Sequence, residues 1–163
     1  MDIRKVYEYA LKREYEGKRF FEQNAERLSH AVAAGTFRAL AAEEQKHIDF
    51  IQSLLNAMDK GLPPSIELGA EMEKEGFFST RAQSEFLDQT VLEAMVPDLP
   101  VLRMAYLIER DFAEFYANAA DQAEDPAKQV LEMLSHWEHG HEALFKAMHD
   151  NAYEQYSQMP WGG

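Results

Sequence analysis

The sequence of 163 residues contains no cysteine. This absence excludes disulfides, thiolate-bound zinc, iron–sulfur clusters, rubredoxin-type iron and a cysteine nucleophile. Any metal that the chain binds must therefore have nitrogen and oxygen ligands. The sequence also has no apolar run of the roughly 20 residues that a membrane-spanning helix requires.

Basic residues are few compared with acidic ones, at 16 against 29, and the formal net charge is -13. Such a surface repels phosphate groups and anionic lipids, so we expect neither a nucleic acid nor a membrane as a partner. The first residues are charged every few positions and contain no apolar run, so we predict no signal peptide and expect a cytoplasmic protein. The length suits a single domain over residues 1–163.

Four stretches of the chain have apolar residues at alternating spacings of three and four, which is the period of an amphipathic helix. We predict an all-α fold with long helices at about residues 3–28, 31–58, 100–122 and 126–152. Asp125 and Pro126 are expected to be the N-cap and the first-turn proline of the last helix. The helices then pair as two hairpins in series, with tight turns at 28–31 and 123–125.

The connector between the hairpins, residues 59–99, is rich in residues that interrupt helices. These residues are Gly61, Pro63, Pro64, Gly69 and Gly76. Residues 80–95 are compatible with a short helix. A connector of this length is about twice what a tight turn needs, so it suits a crossover that leaves the second and third long helices parallel.

Four glutamates and two histidines interrupt the apolar stripes at positions that should face the core. They are Glu14, Glu44, His47, Glu109, Glu138 and His141. An ionised carboxylate that is buried without a partner costs several kcal/mol. Lys18 is the nearest basic neighbour at this level, so ion pairs do not account for the set. Two divalent cations would balance four carboxylates and accept two neutral imidazoles as further ligands.

The spacing of these residues favours such a dinuclear site. Glu44 with His47, and Glu138 with His141, form Glu-x-x-His pairs whose side chains point to one side of a helix. One such short motif alone would be a weak signal. However, the two glutamates of the first hairpin are 30 residues apart and those of the second are 29 apart, so each pair straddles its turn almost symmetrically. All four should meet at one level, roughly 20 Å from the turns.

The two hairpins also repeat each other around these positions. Residues 40–47 correspond to residues 134–141, so that the two Glu-x-x-His pairs coincide. In this alignment Glu43 corresponds to Trp137. The repeat therefore selects Glu44, and not its neighbour, as the ligand.

With these motifs, the chain resembles the ferritin-like superfamily, and specifically the rubrerythrin-like di-iron carboxylate proteins. The resemblance covers both hairpins, about two thirds of the chain, and implies an all-α ferritin-like four-helix bundle. It implies two iron ions per chain, with manganese as the alternative. The implied ligands are terminal carboxylates from Glu14 and Glu109, bridging carboxylates from Glu44 and Glu138, and one imidazole per ion from His47 and His141.

The resemblance further implies a non-haem di-iron oxidoreductase that acts on peroxide or dioxygen, with oxidation of ferrous iron as a related activity. Rubrerythrins carry a cysteine-ligated rubredoxin domain that supplies electrons, and this chain has no cysteine. We therefore expect an external electron donor. Rubrerythrins also carry a further glutamate three residues after the third-helix glutamate, where this chain has Phe112.

Several alternatives stay open at this point. The chain could be an iron-binding or iron-storage carrier, or a structural helical module without metal whose buried acids are protonated or paired with the histidines. Tyr116 is interpreted mainly as a core residue with a satisfied hydroxyl, with a catalytic role by hydrogen bonding or electron transfer as the alternative. A homodimer is expected because two-fold assemblies are common.

Overall fold

All regular secondary structure in the described residues is helical, which confirms the predicted all-α class. The computed structural model describes residues 1–29, 31–75 and 98–158. The helices are α1 (Ile3–Ala25), α2 (Ala31–Asp59), α3 (Ile66–Glu75), α4 (Leu99–Ala120) and α5 (Ala127–Ser157). None of them combines the length and the hydropathy that crossing a bilayer requires.

The four long helices form two antiparallel hairpins, α1–α2 and α4–α5, whose buried faces meet in two apolar layers. The first layer contains one representative from each long helix: Tyr7, Leu54, Tyr116 and Leu131. The second layer likewise contains Phe21, Phe37, Leu102 and Phe145. Since α2 and α4 both run from the second layer to the first, they are parallel, as the long connector predicted.

Aromatic rings fill much of the second layer. The rings of Phe21 and Phe145 are stacked with centroids 5.5 Å apart, and Phe37 meets Phe145 edge-on at 5.2 Å. All three side chains are completely buried. Such pairs add about 0.5–1.5 kcal/mol each beyond the burial of apolar area, so this layer holds the two hairpins together on one side of the candidate site.

The connector contains a short helix, α3, that the sequence pattern did not predict. It lies against α2 and α5, where a Cβ atom on Gly69 would overlap the side chain of Met133 and approach Phe50 Cζ to 3.0 Å. Gly69 was interpreted as a helix breaker, whereas here it lets α3 approach its neighbours closely. A helix tolerates one glycine at a cost of about 1 kcal/mol, which this packing offsets. The short helix predicted at 80–95 lies outside the described residues.

Some helix ends differ from their predicted positions. α1 ends at Ala25, three residues early, because the chain turns there through hydrogen bonds from the N–H groups of Arg27 and Leu28 to the Asn24 carbonyl. α5 continues to Ser157, beyond the predicted 152. The prediction that Asp125 is an N-cap is wrong. Pro126 occupies that position itself, with φ -87° and ψ -5°, and no side chain caps the helix.

A polar contact joins the two hairpins beyond the second layer. The Asp98 carboxylate, which is buried at the start of α4, accepts hydrogen bonds from the backbone N–H of Ser29 at 3.1 Å and from its hydroxyl at 3.0 Å. Ser29 lies in the turn between α1 and α2. The contact therefore sets the position of α4 relative to the first hairpin, which matters because the candidate site draws on both.

Candidate metal centre

All six side chains selected from the sequence converge between the two apolar layers. Each is at most 4% exposed, and the four glutamates are completely buried: Glu14, Glu44, His47, Glu109, Glu138 and His141. α1 and α4 contribute one glutamate each, whereas α2 and α5 contribute a Glu-x-x-His pair each. The alternation of three and four residues puts them on the inner faces of the helices, and their similar distances from the turns bring them to one level.

Each histidine lies beside one carboxylate from the other helix of its own hairpin. His47 Nδ1 is 3.4 Å from Glu14 Oε2, and His141 Nδ1 is 3.6 Å from Glu109 Oε2. The two imidazole rings are parallel, with an interplanar angle of 4° and centroids 5.2 Å apart. The two halves of the cluster are thus nearly equivalent, as the sequence repeat predicted.

Glu44 and Glu138 lie between the two halves. Glu138 Oε1 is 2.9 Å from His47 Nδ1, and its Oε2 is 3.4 Å from His141 Nδ1. Glu44 Oε1 is 3.4 Å from His141 Nδ1 and 3.9 Å from His47 Nδ1. These two carboxylates are therefore in a position to serve both halves, whereas each of the other two glutamates lies beside one half.

The donor atoms fall into overlapping groups within which all atoms lie within 4.8 Å of one another. One group is Glu14, Glu44 and His47, another is Glu44, Glu109, Glu138 and His141, and a third is His47, Glu138 and His141. Within the described ranges, no hydrogen bond of normal geometry reaches either carboxylate oxygen of Glu44, Glu109 or Glu138. Buried polar atoms usually have partners, so this oxygen and nitrogen set fits divalent cations.

Burial and mutual repulsion control protonation in the metal-free cluster. Burial, followed by the charges of Glu138 and Glu14, raises the pKa of Glu44 well above its usual value. Burial and Glu44 similarly raise the pKa of Glu109. Burial alone would raise the pKa of Glu138 too, but His47 and His141 lower it well below its usual value. These shifts favour the protonated forms of Glu44 and Glu109 and the ionised form of Glu138 in the metal-free cluster.

The pKa values of the two histidines are raised by neighbouring carboxylates, although burial alone would lower them. Burial lowers the pKa of an imidazole, but the charge of Glu138 raises the pKa of His47 well above its usual value, and Glu109 does the same for His141. Both rings are therefore protonated near neutral pH when no metal is present. Metal ligands must be deprotonated, so metal binding should release protons from this cluster.

These shifts predict that the metal-free protein loses stability as the pH rises above the ordinary pKa values of the glutamates and then of the histidines, 4.5 and 6.5. Groups with raised folded-state pKa values stabilise the fold below their unfolded pKa values, and this contribution is lost as the pH rises through the folded values. Glu44, Glu109, His47 and His141 all act in this sense, whereas the contribution of Glu138 is lost only on acidification.

Thermal unfolding measured across this pH range, with and without bound metal, checks the prediction. The difference in Tm between loaded and metal-free protein should widen with pH, because deprotonation also favours metal binding. A metal-free Tm that is constant or rises over the same range would contradict the assigned protonation states.

Tyr116 lies in the first apolar layer, directly beside the cluster. Its hydroxyl donates a hydrogen bond to Glu14 Oε1, and burial followed by the charge of Glu14 raises its pKa well above the usual value. The side chain is 1% exposed. Tyr116 is thus a core residue with a satisfied hydroxyl, as the sequence favoured, and it also orients one candidate ligand.

Replacing Tyr116 by phenylalanine should weaken metal binding by about 10–100-fold at the half that contains Glu14, since loss of an outer hydrogen bond to a ligand typically has this effect. Tyr7→Phe is the matched control. The Tyr7 hydroxyl is buried without a hydrogen bond to any described residue, so its removal should leave metal affinity unchanged and stability equal or higher. Metal titration of both variants tests this, and equal affinities would exclude a role for the Tyr116 hydroxyl.

The structure also shows that Glu44, and not the adjacent Glu43, points into the cluster. The Glu43 side chain turns away from the cluster and pairs with Lys46, with Oε1 2.7 Å from Nζ. Its counterpart in the repeat, Trp137, packs its ring on that of His47 at a centroid distance of 5.0 Å. The choice of Glu44 from the repeat agrees with this geometry. The role of Trp137 as a cover for the imidazole was missed, and its position directly before Glu138 was the only signal for it.

Gly17 and Phe112 form another part of the site that the sequence pattern missed. A Cβ atom on Gly17 would be 3.1 Å from Phe112 Cε2 and 3.3 Å from Glu44 Oε2. The ring of Phe112 and the Glu44 carboxylate therefore both lie against the backbone of α1 at Gly17. The guanidinium of Arg13 lies over this ring, 4.6 Å from its centroid. The sequence signals were a glycine within the apolar stripe of α1 and the position at which Phe112 stands where rubrerythrins carry a further glutamate.

Comparison with known families agrees with this geometry. The sequence matches the family model of rubrerythrin over residues 5–149. The chain belongs to the rubrerythrin family. The matched region contains all six converging side chains, and the resemblance predicted from the Glu-x-x-His repeat is confirmed. Rubrerythrins typically bind iron, and the buried cluster is compatible with this. No curated protein and no solved structure matches the chain.

Proposed function

We propose that this chain is a non-haem di-iron oxidoreductase that reduces peroxide, with dioxygen as the related oxidant. The observation that carries the proposal is the set of four completely buried glutamates, together with two buried histidines, at one level of the bundle. Membership of the rubrerythrin family supports iron as the metal.

Charge compensation supports a pair of divalent ions. In the described part of the chain, only histidines lie within salt-bridge distance of the four carboxylates. Lys18, the nearest basic candidate in the sequence, pairs instead with Gln45 at 2.9 Å and with Glu22 at 3.5 Å. Two ions of charge +2 would offset four ionised carboxylates in a region where an unpaired charge is expensive.

The residues divide into three groups in this proposal. Glu14 with His47, and Glu109 with His141, would hold one ion each. Glu44 and Glu138 would contact both ions and keep them close together. Because the six side chains are buried, bulk water would be excluded from the ions and only small molecules could reach them. The ligands that the family resemblance implied are therefore the proposed metal ligands: Glu14, Glu44, His47, Glu109, Glu138 and His141.

When bound, a pair of ferrous ions supplies two electrons, one from each ion as it becomes ferric. One peroxide, two electrons and two protons then give two waters, which balances the reaction. Because the chain has no cysteine, the electrons that restore the ferrous state would come from a separate donor. With excess ferrous iron as the reductant, the same balance describes oxidation of ferrous iron.

Elemental analysis followed by a turnover assay tests the proposal. We expect about two iron ions per chain, and many peroxide molecules reduced per site when a small-molecule reductant is present. His141→Asn should lose both properties, whereas His139→Asn should keep them. His139 lies only two residues away, but its side chain is 53% exposed and pairs with Glu142.

Each alternative has a distinct outcome in these measurements. Tens of iron atoms retained per chain after exposure to oxygen, with little turnover, would favour a storage protein. Manganese in protein isolated without added metal would replace iron in the proposal. Absence of any metal, with unchanged melting after Glu138→Ala, would favour a purely structural module.

A further inference from the structure

The buried cluster needs a route for electrons from outside the chain, and this requirement rests on the proposed function. The side chains that would hold the metal are at most 4% exposed, so a donor cannot touch them directly. A donor must therefore act through a surface close to the cluster.

One such surface is the seam between the antiparallel helices α1 and α4, which we define by Tyr9, Arg13, Phe112 and Phe115. The rings of Tyr9 and Phe115 lie 5.0 Å apart, and the Arg13 guanidinium covers the ring of Phe112. Tyr9 is 47% exposed. Met104, which is 55% exposed, lies three helical turns from Phe115 on the same face of α4, with the exposed Asp111 between them.

The opposite side of the bundle is covered differently. There α3 packs against α2 and α5, with Ile66 and Met72 partly buried on the first apolar layer. Aromatic side chains and arginine are enriched in protein interfaces, and the large side chains of Tyr9 and Met104 are exposed on the α1–α4 side. Among the described elements, the seam therefore has the composition of an interface and no helix across it.

The seam is also close to the cluster. Phe112 is 3% exposed, and its ring borders the same point beside Gly17 as the Glu44 carboxylate. A single aromatic ring thus separates Arg13, at the surface, from a proposed bridging ligand. A donor that docked on the seam would be separated from the cluster by little more than this ring.

Charge indicates the kind of partner. Arg13 forms no salt bridge within the described residues, although the chain has 29 acidic residues. α1 carries six lysines and arginines against four glutamates, and one of these, Glu14, is buried in the cluster. α3, on the other side, carries four glutamates and one lysine. An arginine without its own carboxylate suits an acidic partner, because the guanidinium can bind a carboxylate through two N–H groups.

We propose that the α1–α4 seam is the docking surface for an acidic, one-electron carrier protein that reduces the metal centre. Each docked carrier gives up one electron and leaves oxidised. Two carriers are therefore consumed for every peroxide that is converted, with two protons, into two waters. Phe112 lies between the docked carrier and Glu44, and Arg13 and Tyr9 provide the contact.

The test uses the iron-loaded full chain and a reduced acidic [2Fe–2S] ferredoxin as the probe. For each variant, the rate of ferredoxin oxidation is divided by the rate with a small uncharged reductant. Arg13→Glu should lower this ratio about tenfold at low salt and weaken its salt dependence, because charges at an interface act mainly on the association rate. Tyr9→Ser should lower it several-fold.

Arg38→Glu is the matched control, since it makes the same charge change on α2, where Arg38 pairs with Glu26 instead of lying on the seam. Its ratio should change by less than about twofold. A basic carrier, cytochrome c, should not be slowed by Arg13→Glu. Equal ratios for Arg13→Glu and Arg38→Glu would overturn the proposal.

Direct binding of oxidised ferredoxin at low salt separates the two proposals. Binding that is lost in Arg13→Glu and kept in Arg38→Glu supports the seam even if peroxide is not turned over, in which case only the proposed function fails. Turnover with the small reductant, but no binding or oxidation of ferredoxin, overturns the seam alone. A wild-type dimer that Arg13→Glu dissociates in sedimentation would show that the seam pairs two copies of this chain, and would also overturn it.

Discussion

Glu44→Gln should reduce the bound metal from two ions per chain to less than one and abolish peroxide turnover. Glu44 belongs to donor groups in both halves of the cluster, so its replacement should weaken the binding of both proposed ions. Loss of an outer-shell group already costs about 10–100-fold in metal affinity, and loss of a shared ligand should exceed this. Metal titration and elemental analysis measure the effect.

The choice of glutamine keeps this test specific for metal binding. Burial and neighbouring carboxylates raise the pKa of Glu44, so the metal-free protein holds this side chain protonated. A glutamine has nearly the same shape as a protonated carboxyl group and is also uncharged. The metal-free variant should therefore unfold at nearly the wild-type temperature, and loss of metal cannot be attributed to misfolding.

The metal content of two further variants provides the comparison for Glu44→Gln. Glu109→Gln should remove about one ion and leave the other, because Glu109 lies beside His141 alone. Glu43→Gln should keep both ions, since Glu43 pairs with Lys46 outside the cluster. Two tightly bound ions in Glu44→Gln, or equal losses from Glu43→Gln and Glu44→Gln, would contradict the assignment of Glu44 as a shared ligand.

Removal of metal by a chelator should lower the Tm of the wild-type chain by roughly 10–20 °C. A ligand at about 100 times its Kd stabilises the folded state by about 2.7 kcal/mol per site, and two sites give about 5 kcal/mol. For a chain of this size, each kcal/mol corresponds to about 2–4 °C. Scanning calorimetry before and after chelation, and after metal is restored, measures the shift.

The same chelator should have little effect on Glu44→Gln, which serves as the control for direct action of the chelator on the fold. If the chelator left the Tm of the wild type unchanged, the charges of the cluster would be neutralised within the protein, without bound metal. Protonated carboxyl groups and histidine–carboxylate pairs would then be sufficient, and the structural alternative would be favoured.

The sequence predicted the six candidate ligands because each is a charged or polar residue inside an apolar stripe. Burial of Glu14 and Glu109 followed from the helical period alone, and the choice of Glu44 over Glu43 followed from the internal repeat. Such conflicts between residue type and position are visible without a structure, since they depend only on local periodicity.

Other features depend on contacts between distant segments and could not be predicted in this way. Gly69 has the local character of a helix breaker, and only the proximity of Met133 explains a glycine within α3. Phe112 is an ordinary core residue in its own helix, and its position between Arg13 and Glu44 depends on how α1 meets α4. The position of Pro126 at the N-cap of α5 was missed because local statistics favour Asp125 there.

The division of the donor atoms between the hairpins has a consequence for how the chain matures. The first hairpin alone supplies Glu14, Glu44 and His47, whereas the second group is complete only when Glu44 joins Glu109, Glu138 and His141. In the proposed centre, one ion could therefore bind to the first hairpin alone, whereas the other would bind only after both hairpins have come together. During folding, the chain would then bind the two ions one after the other, and the second would bind as the two hairpins associate.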